Sequence, residues 1–394
     1  MVTEFYPPVR GGLEFHVQNL AKELDQRGHD MHVATLGAAN GRSNDGGVTV
    51  HDIRSTASRL PLLYADRARP FHLPIPDFEV RRELRGLLER IRPDVIHAHN
   101  WMAASLPRSD VPLVLTSHDY AWACPKRTYM RRDGSTCNGP SLTRCVPCAS
   151  PQYGVAKAIL VDTTTRLGRR TVRPDFHICV SDAVAGAISP FVRRNPIVIP
   201  NFIPADLADR QGVPVPGLPN EPFALFAGEA SRHKGIDMLL EAWALGAPCP
   251  LVLATLRPLD RALPSQVTQV RLDRDQMVTA YRSACVVVVP SLWPEPCPSV
   301  VLEAMAMGVP VVASAVGGIP ELLRDRVEGR LVPPGETGPL LQAITELLAD
   351  GDMLAAMGSA GRRRAEEYSL ATMATSIEDV YHAAIRGATL RGTA

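Results

Sequence analysis

Two carboxylates, Glu295 and Glu303, stand on either side of a proline-rich corner in the stretch "SLWPEPCPSVVLEA", Ser291 to Ala304. Pro294, Pro296 and Pro298 each lack an N–H and restrict the residue before them, so no continuous helix crosses the corner and Glu295 falls on an irregular loop. Pro298 and Ser299 are good first-turn residues, which puts Glu303 in the opening turns of a helix. Ahead of the corner, "CVVVVP" reads as a fully buried strand. A buried strand, a loop with one acid and a helix with a second form the layout of a ligand site. In open α/β sheets such sites lie outside the carboxyl ends of the strands.

Two further turns are expected to point the same way. In "GEASRHKGI", Lys234 and Gly235 at a helix N-terminus can hold phosphate through an ammonium and exposed backbone N–H groups; a surface lysine before a helix is the plainer alternative. In "VGGIPE", Gly317 and Gly318 let backbone approach a ligand closely and Pro320 starts a helix, although a Gly-Gly pair also serves simply as a turn. A separate chemistry is suggested by Cys124, Cys137, Cys145 and Cys148, spaced C-x12-C-x7-C-x2-C in a loop rich in Gly, Pro and Arg. Four thiolates with one C-x2-C pair suit a tetrahedral structural zinc, and an iron–sulfur cluster is chemically feasible. Unligated thiols are the competing reading.

The elements that must position these residues alternate. After a "PPVRGG" turn come an amphipathic helix ending at Gly28, the strands "HDMHVATL" and "VTVHDI", the helix "DFEVRRELRGLLERI", and the strands "DVIHAH" and "VPLVLTSHD". An irregular cysteine-bearing stretch over 120–153 follows, then a helix near Val155 to Arg169, the strand "FHICVSD", the helix "AVAGAISPF" and the strand "PIVIPN". "NFIPADLADRQGVPVPGLPNEP" is the linker candidate. The alternation restarts with "FALFAGE" and runs to two terminal helices. Strand–helix alternation predicts parallel, doubly wound sheets. At 394 residues two domains are expected. Residues 1–200 form one Rossmann-like half, 201–370 a second, and 371–394 a terminal helix.

Composition narrows the partners. The formal charge is +1, so no global field argues for nucleic acid. Basic residues are almost all arginine, a usage expected of a GC-rich bacterial genome. Runs such as "RLGRRTVR" and "RRR" read first as solvated surface, with a weak membrane-surface patch as the alternative and any membrane association peripheral. No signal-peptide pattern and no bilayer-spanning apolar run is present, so a cytoplasmic protein is expected, with its eight cysteines as thiols or metal ligands. "MVTEFYPPVRGG" opens with only two or three strand-like residues. Either the first strand is a stub or translation begins upstream of Met1.

Taken together, "PPVRGGLEFHVQNLAKEL", "VIPN", "KGIDMLLEA", "EPCPSVVLEAMAMGVPVVASAVGGIPEL" and "EGRLVPPG" resemble the retaining glycosyltransferases of the glycogen-synthase-like, family 4 type. The resemblance runs over nearly the whole chain, and the Glu-x7-Glu corner followed by "GVPVVAS" is its most specific part. It implies a GT-B fold, two Rossmann-like domains closing on a nucleotide-sugar donor, with the terminal helix crossing back to the first. It also implies roles. Glu303 would take the ribose hydroxyls, Glu295 the hydroxyls of the transferred sugar, and Lys234 the pyrophosphate. Gly11 and Gly12 would let backbone close over the phosphates, and His118, ending "VLTSHD", would lie at the sugar. A histidine hydrogen-bonded in a turn is the alternative for His118. A cysteine-bearing loop after "HDY" occurs in some members of the family.

One departure stands out. Family members often carry Arg five residues before the lysine, where this chain has Glu229; either Arg232 supplies the missing charge or Glu229 points away. The reaction implied is front-face transfer of a hexose-type sugar with retention, from a UDP-sugar above other nucleotides, to a small-molecule, glycan or glycolipid acceptor. Lys234 and Arg232 would stabilise the leaving phosphate. No Asp-x-Asp pair appears, so no metal cofactor is expected for the chemistry. Two rivals remain: a non-catalytic sugar-nucleotide-binding subunit, and a metal- or redox-sensing module on the same scaffold.

Overall fold

The computed structural model describes all residues except 10, 57–71, 205, 208, 393 and 394. The expected "PPVRGG" turn is therefore described without residue 10, and the linker without 205 and 208. The chain divides into two compact units, Met1–Pro200 together with the segment from Leu370 onward, and Asn201–Ser369.

In the first unit, β1 (Val2–Thr3), α1 (Gly12–Gln26), β2 (His32–Leu36), β3 (Gly41–Asp45) and β4 (Val48–Ile53) come first. Next are α2 (Phe78–Ile91), β5 (Ile96–His99) and β6 (Leu113–Ser117). The unit continues with α3 (Cys145–Tyr153), α4 (Val155–Thr171), β7 (Phe176–Cys179), α5 (Asp182–Ile188) and β8 (Ile197–Val198). Its strands form one sheet in the order β3-β4-β2-β1-β5-β6-β7-β8. All pairs are parallel but β3–β4, a hairpin closed by Gly46 and Gly47 at positive φ. Two elements were not expected. β3, "GRSND", is polar and almost wholly exposed, so no apolar alternation marks it. Helix α3 lies inside the stretch read as irregular, and it places Cys145 and Cys148 one turn apart.

β1 spans two residues yet occupies the middle of the sheet, pairing with both β2 and β5. The order reverses at β1/β5, so this is the unit's topological switch point. The C-terminal helix, Leu370–Gly392, packs on α1. Arg27 at the end of α1 donates to Glu378 Oε2 (2.5 Å) and to the Ala371 carbonyl (2.8 Å), and His29 lies 2.8 Å from Glu378.

The second unit holds β9 (Phe223–Ala227), α6 (Ile236–Ala244), β10 (Leu251–Ala254), β11 (Val267–Val270), α7 (Arg274–Ser283) and β12 (Ala284–Val289). It continues with α8 (Ser299–Met307), β13 (Val311–Ser314), α9 (Ile319–Leu322), β14 (Gly329–Val332), α10 (Thr337–Ala349) and α11 (Gly351–Ala365). Its sheet runs β11-β10-β9-β12-β13-β14, entirely parallel. That is the 3-2-1-4-5-6 order of a doubly wound sheet. The run "CVVVVP" is β12 and its end, and Val286, Val287 and Val288 are fully buried between helices on both faces, the reason a parallel strand is continuously apolar. Strand β11, "VTQV", is short and half-exposed, and sequence periodicity does not mark it.

Candidate functional site

Local chemistry puts each turn of the second unit in place. α8 starts at Ser299 with Pro298 as its N-cap, so the proline corner ends where the helix begins. α7 opens with a capping box in which Asp273 accepts from Gln276 N and Gln276 Oε1 accepts from Asp273 N (2.9 Å each). Arg232–Lys234 make one turn of 3-10 helix, and Gly235, at φ +78°, leads into α6. A Cβ on Gly235 would sit 1.8 Å from the Pro290 carbonyl oxygen, so only glycine lets this turn lie against the end of β12.

Because β9 and β12 are neighbours at the switch point, the turns that follow them meet. Lys234 Nζ donates to Glu295 Oε1 at 2.7 Å, and Ser291 Oγ donates to the same oxygen at 2.5 Å. The Glu295 side chain is 3% exposed and that of Lys234 26%. The ammonium also lies 5.1 Å from the centroid of the Trp293 ring, and Trp293 Nε1 is buried without a partner among the described residues. The third turn closes on the same corner. Gly318 N donates to the Glu295 carbonyl at 2.7 Å. At Gly317, φ +57°, an added Cβ would meet Glu295 O at 2.2 Å and Glu295 N at 2.5 Å. Lys234, Glu295, Gly317 and Gly318 therefore form one packed junction.

Glu303 sits on α8 with Tyr281 Oη donating to its Oε2 at 2.7 Å. Burial pushes its carboxyl above the ordinary range, against the opposing pull of the Tyr281 hydrogen bond and of Arg274. Tyr281 and Arg274 were not singled out from sequence, since they lie on α7, far from the corner along the chain. Ser291 lies inside the quoted motif, and its position beside the acid was the available signal.

Arg232 is not brought to the junction. Its side chain is 92% exposed and lies 4.0 Å from Asp237. Glu229 is exposed as well, so no acid from that position enters the junction.

In the first unit His118 accompanies three other imidazoles. His99 Nδ1 lies 2.9 Å from His118 Nε2, His16 packs edge-on to His118 with centroids 4.7 Å apart, and His97 lies 4.3 Å from His99. His97 in turn bonds Thr116 Oγ1 and Tyr381 Oη, each at 2.7 Å. Burial holds His16, His97 and His99 well below the usual imidazole value, so each is neutral at pH 7. His99 Nε2 is buried without a partner among the described residues. Glu4, just past β1, is fully buried, accepts from Trp101 N at 3.2 Å and lies 3.7 Å from Arg127. Gly11 caps α1 in extended backbone. At Gly12 an added Cβ would meet, among the described residues and apart from its chain neighbours and its own helix backbone, no atom within 4 Å. Protein packing therefore does not require glycine at position 12.

The four cysteines are not gathered as a metal-holding group among the described residues. Among the described residues no group of three or more His, Cys, Asp or Glu side chains could hold a metal ion. Each of the last three thiols has another role: Cys137 donates to the Gly139 carbonyl (3.4 Å), Cys148 to the Met130 carbonyl (3.8 Å), and Cys145 Sγ accepts from Ser141 N (3.2 Å). Burial pushes the Cys124 thiol up to about 11. The zinc or iron–sulfur expectation is therefore not supported among the described residues.

Comparison with known proteins agrees with this layout. Residues 10–207 match the family model "Glycosyltransferase Family 4", and residues 214–364 match "Glycosyl transferases group 1". The alpha-maltose-1-phosphate synthase of Mycobacterium tuberculosis (strain CDC 1551 / Oshkosh) is 30% identical over 331 residues, 73% of this chain and 78% of that protein. Two solved structures share the fold. Sucrose-phosphate synthase from Thermosynechococcus elongatus superposes with a TM-score of 0.74 at 22% identity, covering 97% of this chain and 98% of that one. Anabaena HepE, solved in complex with UDP-glucose, gives 0.66 at 19% identity, covering 97% and 99%. With family models matching both units and two parallel-sheet α/β units in the structure, this chain belongs to the glycosyltransferases of the family 4 class and has the GT-B fold.

Proposed function

We propose that this glycosyltransferase moves a hexose-type sugar from a nucleotide-sugar donor, a UDP-sugar first among them, to a hydroxyl acceptor with retention of configuration. The observation that carries the reading is the junction of Lys234, Glu295 and the Gly317–Gly318 turn at the switch point of the second sheet. It supplies one ammonium and one buried carboxylate beside a close-packed glycine turn, the complement of a pyrophosphate next to a sugar with free hydroxyls. Glu295 accepts from the sugar hydroxyls, Lys234 turns from Glu295 toward the diphosphate, and Glu303 accepts from the ribose hydroxyls. Gly11, Gly12 and His118 contribute from the first unit, with the acceptor. HepE, a fold neighbour, was solved with UDP-glucose, which favours uridine as the base.

In the front-face step the bond between the anomeric carbon and the diphosphate oxygen breaks. The acceptor oxygen bonds to the same face, and its proton passes to the leaving phosphate oxygen. Lys234 stabilises the charge that gathers on that phosphate. The exposed Arg232 joins it if its side chain swings from Asp237 when the anion arrives. The eight free cysteines suit a reducing compartment, the cytoplasm. No helix among the described residues is long and apolar enough to cross a membrane.

A donor-binding subunit without turnover is the second reading, favoured by Glu229 where family members often have Arg. Calorimetry with UDP-, GDP- and dTDP-sugars, followed by nucleotide-release assays and anomeric NMR of the product, separates the two. The proposal expects UDP-hexose binding, released UDP and an axial-to-axial outcome. Inverted product overturns retention, and binding with no turnover across an acceptor panel favours the second reading. Binding of none of the donors overturns both.

A further inference from the structure

Large apolar side chains left in water concentrate on helix α4. Val155 (61% exposed), Ile159 (49%), Leu160 (38%) and Leu167 (46%) lie on it, and Leu142 (78%) just precedes α3, its hairpin partner. Ala156, Ile159, Leu160, Thr163, Leu167 and Arg170 are all exposed. Their spacing of i, i+3, i+4, i+7, i+11 and i+14 draws one continuous stripe along the helix. The other side anchors α4 to the unit: Ala158, Asp162, Thr164, Thr165 and Gly168 are buried. A Cβ on Gly168 would come within 2.4 Å of the Pro74 carbonyl oxygen and 2.7 Å of the Trp101 ring. The stripe is thus held outward by close packing behind it.

Charge decides what the stripe meets. Between residues 134 and 174 stand six basic residues (Arg144, Lys157, Arg166, Arg169, Arg170, Arg173) and one acid, Asp162. Asp162 is buried and neutralised by Arg166 at 2.9 Å. The charge presented to solvent is therefore positive, with Arg144, Arg170 and Arg173 exposed. Arg169 lies over the Phe191 ring at 4.5 Å, which brings the turn carrying exposed Arg193 and Arg194 alongside. The whole chain carries a net charge of only +1, so this basicity is local.

We propose that α4 docks the protein on an anionic phospholipid surface. Its apolar stripe enters the boundary between headgroups and acyl chains, while Arg144, Arg170, Arg173 and Arg193 bind the headgroup phosphates. A helix of 17 residues carrying this many charges lies along the interface and does not cross it. A second copy of the chain is a poorer occupant, because two such faces would bring like charges together. The inference is independent of the donor reading, since α4 contributes nothing to the Lys234–Glu295 junction.

The test is co-sedimentation of the purified chain with vesicles of phosphatidylcholine, with and without phosphatidylglycerol. Binding to the anionic vesicles is expected to be tenfold or more above that to neutral ones, in order of magnitude about 10 to 100, and to fall as salt is raised. Leu160→Asp with Leu167→Asp, and separately Arg170→Gln with Arg173→Gln, should each lower partitioning about tenfold or more with melting unchanged. Should the aspartate pair fail to fold, the arginine pair decides alone. A parent protein that ignores anionic vesicles overturns the proposal, as do folded variants that bind like the parent. A dimer that the aspartate pair dissociates, in a chain that does not bind vesicles, assigns the face to a second copy and also overturns it.

Discussion

At the scale of single residues, the Lys234–Glu295 pair sets the energetics of the junction. Lys234→Ala would leave a carboxylate that is 3% exposed with, among the described residues, the Ser291 hydroxyl as its remaining side-chain partner. Breaking a buried pair costs about 3–5 kcal/mol, and the partial exposure of the lysine places this one toward the lower end. Lys234→Ala should therefore melt markedly lower, and adding Glu295→Gln should recover much of the loss; additive single-variant losses in thermal melts would show that the pair is not coupled. Glu303 invites a second substitution. Hydrogen bonds to a charged group contribute about 1.5–3 kcal/mol, so Glu303→Gln should weaken UDP binding roughly ten- to hundredfold. Because burial raises its carboxyl, the carboxylate form, proposed to accept the ribose hydroxyls, is complete only above that raised value. Affinity in the parent should fall with acidification from above the ordinary carboxylate range, and Glu303→Gln should flatten that dependence. Equal UDP affinity in parent and variant by calorimetry would remove Glu303 from the site.

At the scale of elements, two glycine turns give opposite expectations. Gly317 is required by protein packing: its positive φ and the Glu295 carbonyl oxygen, 2.2 Å from where a Cβ would stand, both exclude alanine. Gly317→Ala should lose at least about 1 kcal/mol in stability and displace Glu295, so melting temperature and donor affinity fall together. Gly12 is different, since no other described part of the protein fills its side-chain space. Gly12→Ala at the start of α1 should keep or slightly raise stability while impairing donor use, the signature of a glycine kept for a ligand. A Gly12→Ala protein with parental turnover would separate α1 from the donor.

At the scale of the whole molecule, acid sensitivity should be uneven. Burial lowers six imidazoles in the first unit, His16, His51, His72, His97, His99 and His177, with His51 and His177 near 4. In the second unit only His233 is lowered among the histidines with a resolved shift. A histidine whose folded value lies below the unfolded one leaves the unfolded chain with more protons, so stability rises with pH and is lost as pH falls from about 6.5. His177 alone, lowered to about 4 at 4% exposure, corresponds to about 3 kcal/mol lost across that window. Hydrogen exchange followed from pH 7 to pH 5 should show amides of Met1–Pro200 losing protection before those of Asn201–Ser369. Simultaneous loss in both units would contradict the prediction.

What the chain determined by itself is what its neighbours in sequence control. The continuous valines of β12, the prolines that stop a helix before Ser299, the glycines at 317 and 318 and the strand–helix alternation all act within a few residues. They were legible for that reason. Elements without a local pattern, β3, β11 and α3, were not. Tertiary structure alone decided which side chains meet. Lys234 and Glu295 stand 61 residues apart and touch because the strand order sets β9 beside β12. Tyr281 reaches Glu303, and His99 reaches His118, by the same kind of long-range placement. The cysteines make the converse point. Their spacing suited a metal, but Cys137, Cys145 and Cys148 each take a carbonyl or amide partner, and spacing along a chain does not by itself specify a ligand set.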